Sequence, residues 1–133
     1  MNLMMLLEMA AQGFGERVAF VNGDESLTYQ QLFDAAGQAG MRLRDGACEH
    51  VAMLDVSSLA LPIGLFASAW AGKPFVPINY RLASHEVEGL VSRIEPAFMV
   101  TDAERIASWS SRSEVELEAR QTFVDRACKG TSP

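Results

Sequence analysis

Between residues 18 and 102 short apolar runs alternate with stretches whose apolar residues recur every three to four positions, the pattern of strands alternating with helices. Val51-Ala52-Met53-Leu54 is a continuous apolar run, as expected of a strand buried on both faces of a parallel sheet. Phe75 to Ile78 repeats the pattern. Its Pro77 has no amide donor for a ladder, so this strand is predicted at an edge or where pairing ends. Ala97 to Thr101, after Pro96, makes a third strand.

The helices between them carry start and stop signals. Thr28 and Gln31 have capping-box spacing, in which hydroxyl and amide satisfy two backbone donors at a helix start. The helix that follows, Tyr29 to about Leu43, places Leu32, Ala35, Ala36, Ala39 and Leu43 on one stripe, and Gly46 stops it. Ser57 or Ser58 can cap a helix through Ala71 that is apolar almost all round and so is expected to be largely buried, with Phe66 and Trp70 in the core. Pro62 is tolerated near its first turn, and Gly72 closes it. Ser84 is expected to cap a helix to Ile94 with Val87, Leu90, Val91 and Ile94 on one face.

The two ends read differently. Asn2 can cap a helix to about Gln12 with Leu3, Leu6, Leu7 and Ala10 on one side. Val18 to Val21 and Ser26 to Thr28 flank Asn22-Gly23-Asp24, which predicts a tight β-hairpin. After Asp102, Glu104 to Trp109 predicts a short helical turn, 110–113 a linker, Glu114 to Cys128 a helix with a ragged apolar stripe, and 129–133 a frayed tail. The expectation is therefore an α/β fold: a small parallel sheet with an N-terminal helix and hairpin in residues 1–102, then linker, helix and tail in 103–133.

Composition adds limits. With 133 residues, 49% of them hydrophobic, the chain can build one core. A net charge of -6, with Lys73 and Lys129 the two lysines, speaks against nucleic acid as a partner. Cys48 and Cys128 form neither a CxxC pair nor a disulfide-dense pattern, and there is no run of about 18 apolar residues to span a membrane. The start, with Glu8 inside it and no basic leader, reads as a helix rather than a signal peptide, and the expected location is cytoplasmic.

Three segments carry a family resemblance. Leu27-Thr28-Tyr29-Gln30-Gln31-Leu32, the apolar helix ending Ala71-Gly72, and Phe75-Val76-Pro77-Ile78-Asn79-Tyr80-Arg81-Leu82 occur in the order and at the separations found in adenylate-forming enzymes. Phe98-Met99-Val100-Thr101-Asp102 is similar to the strand that follows there. Over Ala19 to Asp102 the chain thus resembles the N-terminal part of the superfamily that includes acyl-CoA synthetases, luciferases and peptide-synthetase adenylation domains.

That resemblance implies an ATP-dependent activation of a carboxylic acid to acyl-AMP and then acyl-CoA, with ATP, Mg²⁺ and CoA serving the full-length family, fatty-acid metabolism among its settings. The Ser/Thr/Gly-rich phosphate loop ending in Lys would lie beyond the third strand, and no such run occurs; the Mg²⁺-binding acid, ribose-binding Asp and C-terminal catalytic Lys have no counterparts either. Backbone donors and a lysine are the means of holding phosphates, so the chain alone is expected not to adenylate. No catalytic, cofactor-binding or metal residue is assigned. The implied partner is the remainder of a split synthetase, or a second copy through exposed apolar surface; the alternative is a non-catalytic interaction domain derived from the same scaffold.

Individual residues add little chemistry. Tyr80 and Arg81 follow a strand at the edge where open α/β sheets place ligands, which makes them candidates to face an acyl or CoA surface, against a plain solvated connection. Asp55 and Lys73-Pro74 match two features of a phospho-receiver domain, but the acidic pair after the first strand is missing and the spacing from 55 to 73 is too short. Asp55 reads instead as a cap for the next helix. His50 and His85 lack partners at metal-ligand spacing.

Overall fold

A computed structural model describes residues 3–54, 58–79, 81–109 and 114–129. Helix α1 (Leu3–Phe14) leads into the hairpin β1 (Val18–Asn22) and β2 (Glu25–Thr28), then α2 (Tyr29–Asp45), β3 (His50–Leu54), α3 (Ala60–Ala71), β4 (Phe75–Ile78), α4 (Ser84–Ile94) and β5 (Ala97–Thr101). A short α5 (Ala103–Trp109), β6 (Val115–Ala119) and α6 (Arg120–Lys129) complete the order. The hairpin is a separate two-stranded antiparallel sheet, and the other strands form one sheet in the order β4-β3-β5-β6. All three of its pairings are parallel. The expected α/β architecture is therefore present, and β4 with Pro77 lies at an edge.

Local chemistry accounts for the boundaries. Gly23 takes a φ of 62° at the hairpin turn, a conformation an L side chain resists. Both capping-box bonds form at α2: the Gln31 amide donates to Thr28 Oγ1 at 3.1 Å and the Thr28 amide to Gln31 Oε1 at 2.9 Å. Ser58 Oγ accepts from the Ala60 amide at 3.2 Å at the start of α3, and Gly72, at a φ of 73°, ends that helix. At α4 the cap position is Ala83 rather than the expected Ser84, and the Glu86 carboxylate reaches back to the Ala83 amide at 3.1 Å. An acid three residues in can satisfy the first amide when the cap residue lacks an acceptor.

The sheet separates two cores by strand alternation. Val51, Met53, Phe98 and Val100 face α2, α3 and α6, where Leu32, Ala36, Ile63 and Phe123 are buried. Ala52, Leu54 and Met99 face the smaller cluster with Val87 and Val91 of α4. On α2 the expected stripe is buried throughout, from Leu32 to Leu43. Gly40 lets α3 come close: a Cβ there would meet Trp70 Cε3 at 2.8 Å.

Three further expectations are corrected. On α1 the buried face is Met4, Leu7 and Ala11, while Leu6 is exposed, because a helix apolar on most sides does not reveal its inner face by periodicity. On α3, Leu61 and Leu65 are exposed, and Phe66 and Trp70 are half-buried against the core rather than enclosed in it. The helix expected from Glu114 begins only at Arg120, and Val115–Ala119 is a strand, since parallel pairing with β5 and burial of Val115 outweigh the helix-forming glutamates. Residues 115–119, expected within that helix, thus share the sheet, and Phe123 of α6 is fully buried in the larger core. The expected cap Asn2, the cap candidate Ser57 and the linker 110–113 lie outside the described residues.

Candidate functional site at the carboxyl edge of the sheet

Open α/β sheets bind ligands beyond the carboxyl ends of their strands, and here those ends are Leu54, Ile78, Thr101 and Ala119. The buried Thr101 hydroxyl donates to the Leu54 carbonyl at 2.5 Å, which ties β5 to the end of β3. Arg105 Nη1 reaches the same carbonyl at 3.5 Å and the Asp102 carboxylate at 3.4 Å. Asp102 in turn accepts from the Arg105 amide at 2.9 Å and so caps α5. Each acceptor is already engaged, and Thr101 is too enclosed to serve as a nucleophile. Among the described residues of this edge, Thr101, Asp102 and Arg105 form a hydrogen-bonded group rather than a catalytic pair.

Of the two sequence candidates, Arg81 lies exposed just past β4, its amide donating to Asn79 Oδ1 at 2.9 Å. Tyr80 and Asp55 lie outside the described residues. The structure does not bring Arg81 into the Thr101–Asp102–Arg105 group, because β3 separates β4 from β5. Arg105 went unnoticed in the sequence. The signal available was Asp102, three residues before it at a helix start, which is the spacing of a cap and its pair.

Lys73 works at the opposite end of the sheet. Its ammonium donates to the Leu43 carbonyl and, at 3.1 Å, to the Gly46 carbonyl, which closes the C-terminus of α2. That placement, by the amino end of β3, removes it from any receiver-like site at the carboxyl end. His50 Nδ1 is buried without a hydrogen-bond partner at that same amino end, and His85 is exposed on the first turn of α4. Among the described residues no group of His, Cys, Asp and Glu is arranged to hold a metal, and no helix is long and apolar enough to cross a membrane.

Two further concavities flank the larger core. A cavity of about 430 Å³ between the hairpin and α6 is lined by Glu25, Gln31, Asp125 and Cys128 among others. Burial raises the Cys128 thiol pKa above its ordinary value, and the Asp125 and Glu25 carboxylates add to the shift. An open groove of about 410 Å³ lies beside Met4, Phe33, Met41 and Trp70.

With sheet order and edge geometry established, the family model described as AMP-binding enzyme matches residues 7–130. The chain belongs to the AMP-binding enzyme family. This AMP-binding chain is 26% identical over 120 residues to the D-alanine–D-alanyl carrier protein ligase of Staphylococcus haemolyticus, covering 90% of this chain and 24% of that one. It is 31% identical over 99 residues to a Rhodococcus jostii CoA ligase named for a methyl-dioxo-octahydro-indenyl propanoyl group, covering 71% of this chain and 19% of the other. The fold matches the inhibitor-bound N-terminal domain of FACL13 from Mycobacterium tuberculosis with a TM-score of 0.81 at 22% identity, over 99% of this chain and 37% of that domain. The AMP-binding chain thus spans about a quarter or less of these curated relatives and corresponds to the N-terminal part of the synthetase domain.

Proposed function

We propose that this AMP-binding chain is the architectural N-terminal part of an ATP-dependent ligase that converts a carboxylic acid to acyl-AMP and then acyl-CoA. The observation that carries the reading is the family match over residues 7–130. In this reading ATP, Mg²⁺ and CoA are held by sequence other than these 133 residues, and the chain contributes the β4-β3-β5-β6 sheet on which that sequence is built. Tyr80 and Arg81, just beyond β4, are the residues assigned to face the acyl or CoA surface, and the cytoplasm, where ATP and CoA are available, is the assigned location. The test is exchange of labelled pyrophosphate into ATP with a panel of carboxylic acids. No exchange is expected from this chain alone, and exchange is expected once the rest of an AMP-binding domain is joined or added. Exchange by the chain alone overturns the reading.

A second reading, an interaction domain that has lost the chemistry, is favoured by apolar side chains left in solvent: Met5, Met9, Phe14, Val18 and Val21 are each more than half exposed. In either reading this surface is where the remainder of a split synthetase, or a second copy, is proposed to dock. Size-exclusion chromatography at increasing concentration tests it. Concentration-dependent association is expected, and a monomer at every concentration with cooperative unfolding argues against it.

A further inference from the structure

Cys48 is a half-buried free thiol just before β3, and Lys73 Nζ lies 3.6 Å from its sulfur. The two are 25 positions apart in sequence, so the fold makes this contact. The lysine is not a wandering surface group. Its bonds to the Leu43 and Gly46 carbonyls fix the amino group beside the sulfur. Access is provided from another side: a cleft of about 260 Å³ lined by Cys48 together with Pro96, Ala97, Glu114 and Glu116 is large enough for a small oxidant.

A thiol oxidised once gives a sulfenic acid, whose sulfur is electrophilic and is attacked by nearby thiols or nitrogen. The other thiol, Cys128, lines the separate cavity between the hairpin and α6 and not the cleft at Cys48. The nucleophile in reach is the Lys73 amine.

We propose that Cys48 and Lys73 form a site of reversible oxidative modification, closed by a covalent sulfur–nitrogen bond. In the first step the Cys48 thiol takes one oxygen from hydrogen peroxide, giving sulfenic acid and one water; sulfur loses two electrons and the peroxide gains them. In the second step the Lys73 ammonium gives one proton to solvent, and the lone pair so freed attacks that sulfur as the S–O bond breaks. The hydroxyl leaves as water with a second proton from the same nitrogen. A thiol reductant reverses the link, regenerating the Cys48 thiol and the Lys73 amine while two reductant thiols become a disulfide. The bond would tie the C-terminus of α2 to the turn that enters β4, and would take Lys73 from the α2 carbonyls it now closes.

Peroxide treatment of the intact chain followed by mass spectrometry tests this. The expected product is about 2 Da lighter than the reduced chain, since two hydrogens are lost and no oxygen is kept. It yields one cross-linked peptide pair joining Cys48 to Lys73, which dithiothreitol separates. Cys128→Ser keeps this product, which distinguishes it from a Cys48–Cys128 disulfide of the same mass change. Lys73→Arg keeps a cation for the α2 carbonyls but removes the amine, so oxidation is expected to stop at a dimedone-reactive sulfenic acid on Cys48. Loss of the light product in Cys128→Ser, its persistence in Lys73→Arg, or oxygen addition at Cys48 without any Lys73 cross-link in the parent chain overturns the proposal.

Discussion

Across the seam between α2 and α3, alanines and a glycine are enough: Ala35, Ala36 and Ala39 are fully buried, and Gly40 lets Trp70 approach to contact distance. On the flank made by β6 and α6 the contact is of a different kind. Phe123 fills the core, packed 6.0 Å from the ring of Phe98, and next to it Glu118 is buried at 8% exposure. That carboxylate is held by Arg42 of α2 at 2.6 and 3.3 Å and by Arg126 of α6 at 3.1 Å. A seam of small residues is set by shape, whereas the flank depends on a charge that must be satisfied. The first tolerates no added volume, and the second tolerates no lost partner.

Substitutions separate the two kinds of contact. The largest effect is expected at Phe123→Ala, which empties a fully enclosed site and should cost about 4 kcal/mol, read as a drop in the chemical denaturation midpoint. A loss under about 1 kcal/mol would mean α6 is not part of the core. Gly40→Val drives branched volume into Trp70 and should cost about 3 kcal/mol, lowering the midpoint almost as far. Near-wild-type stability there would show that the seam can open.

Smaller effects follow. Glu118→Ala leaves the Arg42 and Arg126 guanidinium groups without that carboxylate, but Arg126 is half exposed and Arg42 partly so, and water compensates them in part. The expected cost is about 2 kcal/mol, below that of a fully buried pair, and it should vary little with salt. Thr28→Ala removes a cap whose geometry is complete and should cost about 1 kcal/mol by thermal denaturation.

The least effect concerns Cys128. Its thiol pKa is raised in the folded chain, chiefly by burial, so the stability it contributes is present below its unfolded value near 9.0 and lost as pH rises through the folded value. Stability of the parent chain should therefore fall in that alkaline window more than that of Cys128→Ser; equal slopes would refute the shift.

The same contrast explains what the sequence disclosed. The capping box at Thr28, the stripe on α2, the three central strands and the edge position of Pro77 all rest on neighbours within a few positions or on strand composition, and they were legible. The flank was not. Val115 and Leu117 do alternate with glutamates, a strand signal, but three acids within five residues followed by Ala119 and Arg120 favour helix on propensity. What decides for a strand is an unoccupied edge on β5 and, for the Glu118 carboxylate, a guanidinium donor 76 positions away in α2, neither visible locally. The site shows the same division. Arg81 was read from its place after a strand, whereas Arg105 matters through the Leu54 carbonyl, 51 positions away.

Amide hydrogen exchange across the sheet tests the account most directly, because its central claim is that residues beyond Asp102 belong to the fold that the AMP-binding family shares. The account predicts that the 115–129 segment and β5, whose Ala97 amide donates to the Glu114 carbonyl at 3.0 Å, open together with β3 at the global unfolding free energy. Exchange of 115–129 that is complete while β3 stays protected would contradict it.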